Sequence, residues 1–379
     1  MHGFDADVAI AGAGPAGSSA AFTLARAGLR VVVIDSHEFP RDKACGDLLG
    51  TDAVATLERF GLREATLAGA LPLVGAVLHG PHGARAGALG HAVRAERRAD
   101  ARVLPRRLFD ARLLACAREA GAEFVRGRVT SVLRSKDGRV TGVSTSTGDV
   151  RAKATIGAEG WGSPVARALG AAPPAPGYAA LTVRAYAART SELERRMHFF
   201  INPSGEGYAW IFPLPAGRAN IGLGFITGEA GSGSAADAFE RFFGPASLAQ
   251  RFLLNGPRTE PLAWPIPLGW RGGRYAVPGA LLAGDAARLA SPLSGSGIYN
   301  ALASGSGAAQ YVQRALRGDE AAWIDYGAWL RRRFAGRLRI ERWIHNAVGT
   351  PKHVEPWLAL AGAVPGANAA LSHVLLALG

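Results

Sequence analysis

The sequence has 379 residues, 48% of them apolar and 19% charged, with 43 basic against 30 acidic side chains and a formal charge of +13. That composition supports a large buried core and excludes disorder. The 50 glycines, nearly twice the usual ~7% share, follow no Gly-X-Y period, which excludes collagen. Two cysteines exclude a disulfide framework, and the length fits one large or two intertwined domains.

The chain starts without the basic stretch of a signal peptide. No window offers some 20 uninterrupted apolar residues, so a cytoplasmic location is expected. Asp7–Gly12 is a short apolar run that fits a buried parallel strand. Gly12-Ala-Gly14-Pro-Ala16-Gly17 follows at once, then helix formers over Ser18–Ala27, a break at Gly28, and a second buried strand, Val31–Ile34, ending at Asp35. Strand, glycine turn, helix, strand and acid within one unit predict a dinucleotide site. The glycines permit a tight turn and close approach of backbone to a pyrophosphate, while the helix N-terminus offers free N–H groups. Asp35 can accept from a ribose hydroxyl. This unit alone leaves FAD and NAD equally open.

Phe39-Pro-Arg-Asp-Lys43-Ala44-Cys45-Gly46-Asp47 comes next, with a thiol that is either a small packed side chain or a reacting group. Leu104–Leu113 opens a helix, in which Cys116 reads as packing. Thr155–Gly160 reads as a strand and turn. Tyr208, Trp210 and Phe212 alternate, so a strand would set all three aromatics on one face, suited to a long apolar or planar ligand. Trp264–Leu268 reads as a further strand. Ala280–Ala283 is another buried strand, ending in Gly284-Asp285, and a second glycine-rich turn, Gly295-Ser-Gly297-Ile298, precedes a helix over Tyr299–Leu316. Gly228–Ala235 reads as a surface loop.

Apart from Lys43, Lys136, Lys153 and Lys352 the basic residues are arginines, clustered at 94–112 and 331–342. No RNP, zinc-finger or basic-zipper pattern accompanies them, so no nucleic-acid partner is expected. Pro356–Gly379 holds no Asp, Glu, Lys or Arg and is broken at Pro365-Gly366. Two short apolar helical pieces would follow, docked on the protein's own core or, beside the arginines, on a bilayer surface. The nine histidines show no metal-ligand spacing, so no metal is expected. No Gly-x-Ser-x-Gly elbow is present either. His198, beside Phe199 and Phe200, reads as a surface or core residue.

Gly284-Asp285 followed by Gly297-Ile298 resembles the second FAD motif of the flavoprotein hydroxylase fold. Arg106-x-x-Phe109-Asp110-x-x-Leu113 resembles its helix start, whose arginine contacts the flavin. Ala158-Glu159-Gly160 is similar to its Asp-Gly motif, with glutamate in place of aspartate, and Ser163 and Arg167 keep the rest. The resemblance implies FAD, held by Gly12, Gly14, Ala16, Gly17, Asp35, Lys43, Ala44, Gly46, Arg106, Val129, Asp285, Gly297 and Ile298, with NAD(P)H as electron donor. The Cys45-Gly46 segment and Tyr208-x-Trp210-x-Phe212-Pro213 followed by Gly222-x-Gly224 resemble the geranylgeranyl reductase family. That likeness implies reduction of C=C bonds in a prenyl-type or other apolar substrate, with Cys45 catalytic and Tyr208, Trp210 and Phe212 on the substrate. Two alternatives are a flavin monooxygenase or, less well matched, a halogenase acting on an aromatic or natural-product intermediate, and a non-catalytic flavin-binding membrane-surface protein. The expected fold is α/β, a Rossmann-like FAD-binding domain (1–72, 100–170, 272–330). Interleaved with it is a smaller α+β substrate domain with an antiparallel sheet (73–99, 171–271), and a C-terminal helical tail spans 331–379.

Overall fold

The computed structural model describes residues 5–348 apart from 80–84, 87–99, 172–173, 176, 202–206, 227–233, 245–247, 255–257 and 270–271. The loop expected at 228–235 and the apolar pieces after 356 lie wholly or largely outside the described residues. Strand Ala6–Ala11 pairs in parallel with Val31–Asp35 on one side and Gly148–Gly157 on the other. Glu123–Arg126 and Ala280–Leu282 extend this parallel core. Strands Ala6–Ala11, Val31–Asp35 and Ala280–Leu282 are near-continuous apolar runs, as strands buried on both faces are. Three further antiparallel strands, Val129–Arg134, Val140–Thr145 and Ala276–Val277, complete an eight-stranded sheet.

Helix Pro15–Arg26 starts with proline at its first turn, three residues before the helix formers begin. A missing N–H costs nothing there, since that group has no intrahelical partner anyway. For the same reason helix Arg106–Glu119 begins directly after Pro105. The long helix Ile298–Leu316 packs against the first one.

A second, seven-stranded sheet contains Leu262–Pro267, Ala179–Ala188, Arg218–Ile226, Tyr208–Pro213, Arg196–Ile201, Gly75–His79 and Arg85–Ala86, in that order. It is antiparallel as expected except where Gly75–His79 runs parallel to Arg196–Ile201. A parallel partner needs a long connection, and here the strands come from two separate excursions of the chain. Alternation gives this sheet two buried faces. Ala209 and Ile211 point to one, with Phe239, Phe243 and Phe252. Trp210 and Phe212 point to the other, with Met197 and Phe199. His198 is a core residue, hydrogen-bonded to His79 at 2.8 Å and packed against Phe252. Cys116 is buried in its helix. The chain closes, as far as it is described, in helices Ala322–Leu330 and Gly336–Val348 joined by a π-helical turn, Arg331–Ala335.

Candidate active site

One cavity of about 910 Å³ runs between the two sheets, near the upper end of the roughly 300–1,000 Å³ usual for ligand sites. At one end lie Gly12, Gly14 and Ala16, with Asp35 beside them. Gly12 has φ +95°, and a Cβ there would stand 2.4 Å from the Ala158 carbonyl oxygen. Both the left-handed backbone and the close approach demand glycine. Gly17 is outside the cavity: it packs beneath the turn, where a Cβ would meet the Gly12 oxygen. Asp35 accepts the Ala13 N–H at 2.9 Å and the His37 N–H at 3.0 Å, and so holds the turn open.

Two helices aim their N-termini into this cavity. Both have glycine at the N-cap, Gly14 and Gly297, and neither has a side-chain cap. The free N–H groups and the positive dipole ends form a cradle for an anionic, oxygen-rich ligand reaching from one to the other. Asp285 stands between them, 3.3 Å from Lys43 Nζ, with Ile298 and Val129 also on the wall. This donor set suits the diphosphate and hydroxyl groups of a dinucleotide such as FAD.

Lys43, Ala44, Cys45 and Gly46 line the middle of the cavity, and a network behind them fixes their course. Asp47, fully buried and with φ +62°, accepts from Arg106 N–H at 2.9 Å, Tyr186 OH at 2.8 Å and Asn220 Nδ2 at 2.8 Å. Asn220, also fully buried, donates to the Cys45 carbonyl at 2.7 Å and accepts from Trp210 Nε1 at 2.8 Å. One amide thus ties the Cys45–Asp47 turn to the aromatic strand. Burial pushes the Asp47 carboxyl up to about 6, against the pull of these donors and of Arg184.

Arg106 is on the cavity wall, but its guanidinium is held by Asp110 through two bonds of 2.7 Å. Cys45 Sγ, on the same wall, accepts the Asp47 N–H at 3.4 Å. Burial alone would raise Asp110, yet Arg106 and Arg41, the latter at 2.9 Å, hold it below the usual carboxylate range. The pair is therefore ionised, with charge matched by charge in a buried setting. Glu159, also on the wall, is raised by burial to about 7; it accepts from Ser163 Oγ at 2.7 Å and the Val165 N–H at 3.2 Å.

Tyr208, Trp210 and Phe212 form the other end, with Phe199 and Ile266. Tyr208 OH donates to the Ser294 carbonyl, and burial raises its hydroxyl. A Cβ on Gly222 would lie 2.0 Å from Trp210, and one on Gly46 would lie 2.7 Å from Phe212. These glycines let the rings lie flat against backbone. Asp47 and Asn220 escape a reading of the sequence by motif. The one signal is a polar residue inside the apolar strand Ala219–Phe225.

Residues 5–248 match the FAD binding domain family. A menaquinone reductase of Mycolicibacterium smegmatis is 35% identical over 326 residues, covering 81% of this chain and 76% of that protein. Digeranylgeranylglycerophospholipid reductase 2 of Methanopyrus kandleri is 31% identical over 322 residues, covering 83% and 78%. In fold, the chain resembles a geranylgeranyl bacteriochlorophyll reductase-like protein from Thermoplasma acidophilum, with a TM-score of 0.84 over 98% of this chain and 95% of that one at 23% identity.

Proposed function

This chain belongs to the FAD binding domain family and, within it, to the geranylgeranyl reductases, and from that premise we propose that it is a reductase of C=C bonds in a prenyl-type or similarly apolar substrate. The observation that carries this reading is the shape of one cavity: a polar, glycine-edged end joined to an aromatic end, with Cys45 at the junction. FAD, when bound, supplies the hydride for such a bond.

The residues then divide the work. Backbone N–H groups at Gly14 and Gly297 hold the diphosphate and ring ends of the cofactor, and Asp35 takes a ribose hydroxyl. Asp285, steadied by Lys43, binds the sugar-alcohol chain. Tyr208, Trp210 and Phe212 cover an apolar chain and keep water from it. Reduction of a C=C bond needs a proton on the second carbon. In this reading Cys45, on the cavity wall, gives it, and Arg106 on the same wall balances the charge left behind. The buried Asp47 and Asn220 hold that thiol in place without touching the substrate. NAD(P)H is the proposed source of electrons.

The test is anaerobic turnover of chemically reduced protein with polyprenyl substrates, read by mass spectrometry. A product gaining two hydrogens per reduced bond supports the proposal. A product formed only with O₂ and carrying one oxygen atom makes the chain a monooxygenase. No flavin reoxidation with any substrate of a broad panel leaves a flavin-binding protein without turnover.

A further inference from the structure

The last described helix, Gly336–Val348, has two unlike sides. One is internal. Leu338 and Glu341 are buried, Arg337 pairs with Glu341 at 2.9 Å, and Arg342 lies 4.5 Å from the centre of the Tyr178 ring. Ile344 and His345 continue this side onto the wall of the cavity. The other side carries Ile340, 61% exposed, and Trp343, 69% exposed, one turn apart. Arg331, Arg332 and Arg339 of the same helical stretch are exposed as well. Glu341, buried and already paired, is the single acid between Arg331 and Ala347.

Isolated exposed apolar residues are ordinary. An exposed tryptophan and isoleucine on one helix face, with exposed arginines and no exposed acid in the described stretch 331–347, match the pattern of a helix lying in a lipid interface. The charge is complementary to an anionic leaflet, which attracts basic residues within a Debye length. The sequence beyond continues into Pro356–Gly379 without a charged side chain. We propose that this face docks on an anionic bilayer surface, with Trp343 and Ile340 entering the headgroup region and Arg331, Arg332 and Arg339 meeting lipid phosphates. Ile344 and His345 would then bring the cavity wall to the membrane, so that an apolar substrate passes from lipid to cavity without crossing water. That last step rests on the substrate class proposed above; the docking itself does not.

The experiment is co-sedimentation of the full FAD-loaded chain with vesicles of phosphatidylglycerol and phosphatidylcholine in equal parts, and with phosphatidylcholine alone, without substrate or turnover. Preference for the anionic vesicles, weakened by added salt, is expected. Each arginine near such a surface contributes about fivefold in partitioning, so Arg332→Gln with Arg339→Gln lowers binding about 25-fold. Ile340→Ser with Trp343→Ser lowers it on both vesicle types. All four side chains are exposed, so unchanged flavin absorbance and melting temperature confirm that the variants fold. Equal binding by wild type and variants overturns the proposal, as does no binding to anionic vesicles. Self-association in free solution that the Ile340/Trp343 variant abolishes assigns the face to a second copy of the chain and overturns it too.

Discussion

Asn220 offers the sharpest test of how the Cys45 turn is held. Its side chain makes three buried hydrogen bonds, to Trp210 Nε1, the Cys45 carbonyl and Asp47 Oδ2. Asn220→Leu keeps much of the volume and removes every partner. Trp210 N–H and the Cys45 carbonyl are then left buried without partners, each costing about 1–3 kcal/mol, while Asp47 keeps Tyr186 and the Arg106 N–H. A total near 4 kcal/mol follows. Asn220→Ala leaves a polar hole about large enough for one water, which restores part of the bonding, so about 2–3 kcal/mol is expected. With an unfolding entropy of about 2.1 cal/mol/K per residue, 4 kcal/mol lowers the melting temperature of this 379-residue chain by about 5 °C. Thermal unfolding of the FAD-loaded protein, followed by circular dichroism, reads this directly. The order is the discriminating outcome: leucine below alanine below wild type. A leucine variant melting within about 1 °C of wild type, or above the alanine variant, would refute the assigned network.

Gly12→Ala forces a left-handed backbone and a contact of 2.4 Å with the Ala158 oxygen, so it should purify with little or no FAD, measured as the ratio of flavin to protein absorbance. Cys45→Ser should retain full FAD and fall at least tenfold in substrate reduction, a loss of about 1.4 kcal/mol in transition-state stabilisation; an unchanged single-turnover rate removes Cys45 from the chemistry. Asp47 has an ordinary value of 3.8 raised to about 6 in the fold, so the folded chain binds the proton more tightly. Its contribution is fully present below pH 4 and is lost as pH rises through 6, about 3 kcal/mol in all. Asp47→Asn should remove that falling component from urea-unfolding stabilities measured between pH 4 and 8; an unaltered slope would contradict the burial argument. Glu159, raised to about 7 by burial, gives a second falling component centred higher, which Glu159→Gln should remove.

The glycine turns were legible in the sequence because their requirement is local. A tight turn, a helix start and a following acid sit within one supersecondary unit, and each leaves its residue type in a fixed place. The aromatic face was legible for the same reason, since alternation at period two is a property of one strand. The Cys45 network was not. Asn220 meets Asp47 across 173 positions of sequence, and an asparagine in a strand does not say which distant groups it will satisfy. Arg106 shows a related limit. Its motif points to the flavin, while its guanidinium is first held by an aspartate four residues on. The parallel pairing within the second sheet was hidden too, because it depends on where two separate excursions land.

That pairing bears on how the chain is made. Strand Gly75–His79 meets Arg196–Ile201 only after roughly 120 further residues have been synthesised, some 6–24 s at about 5–20 residues per second. Until then it has the short antiparallel partner at Arg85–Ala86 and no sheet to join. The sheet that roofs the cavity is therefore assembled late, after the first nucleotide-binding unit has left the ribosome. The waiting strand is thus a segment open to mispairing during translation.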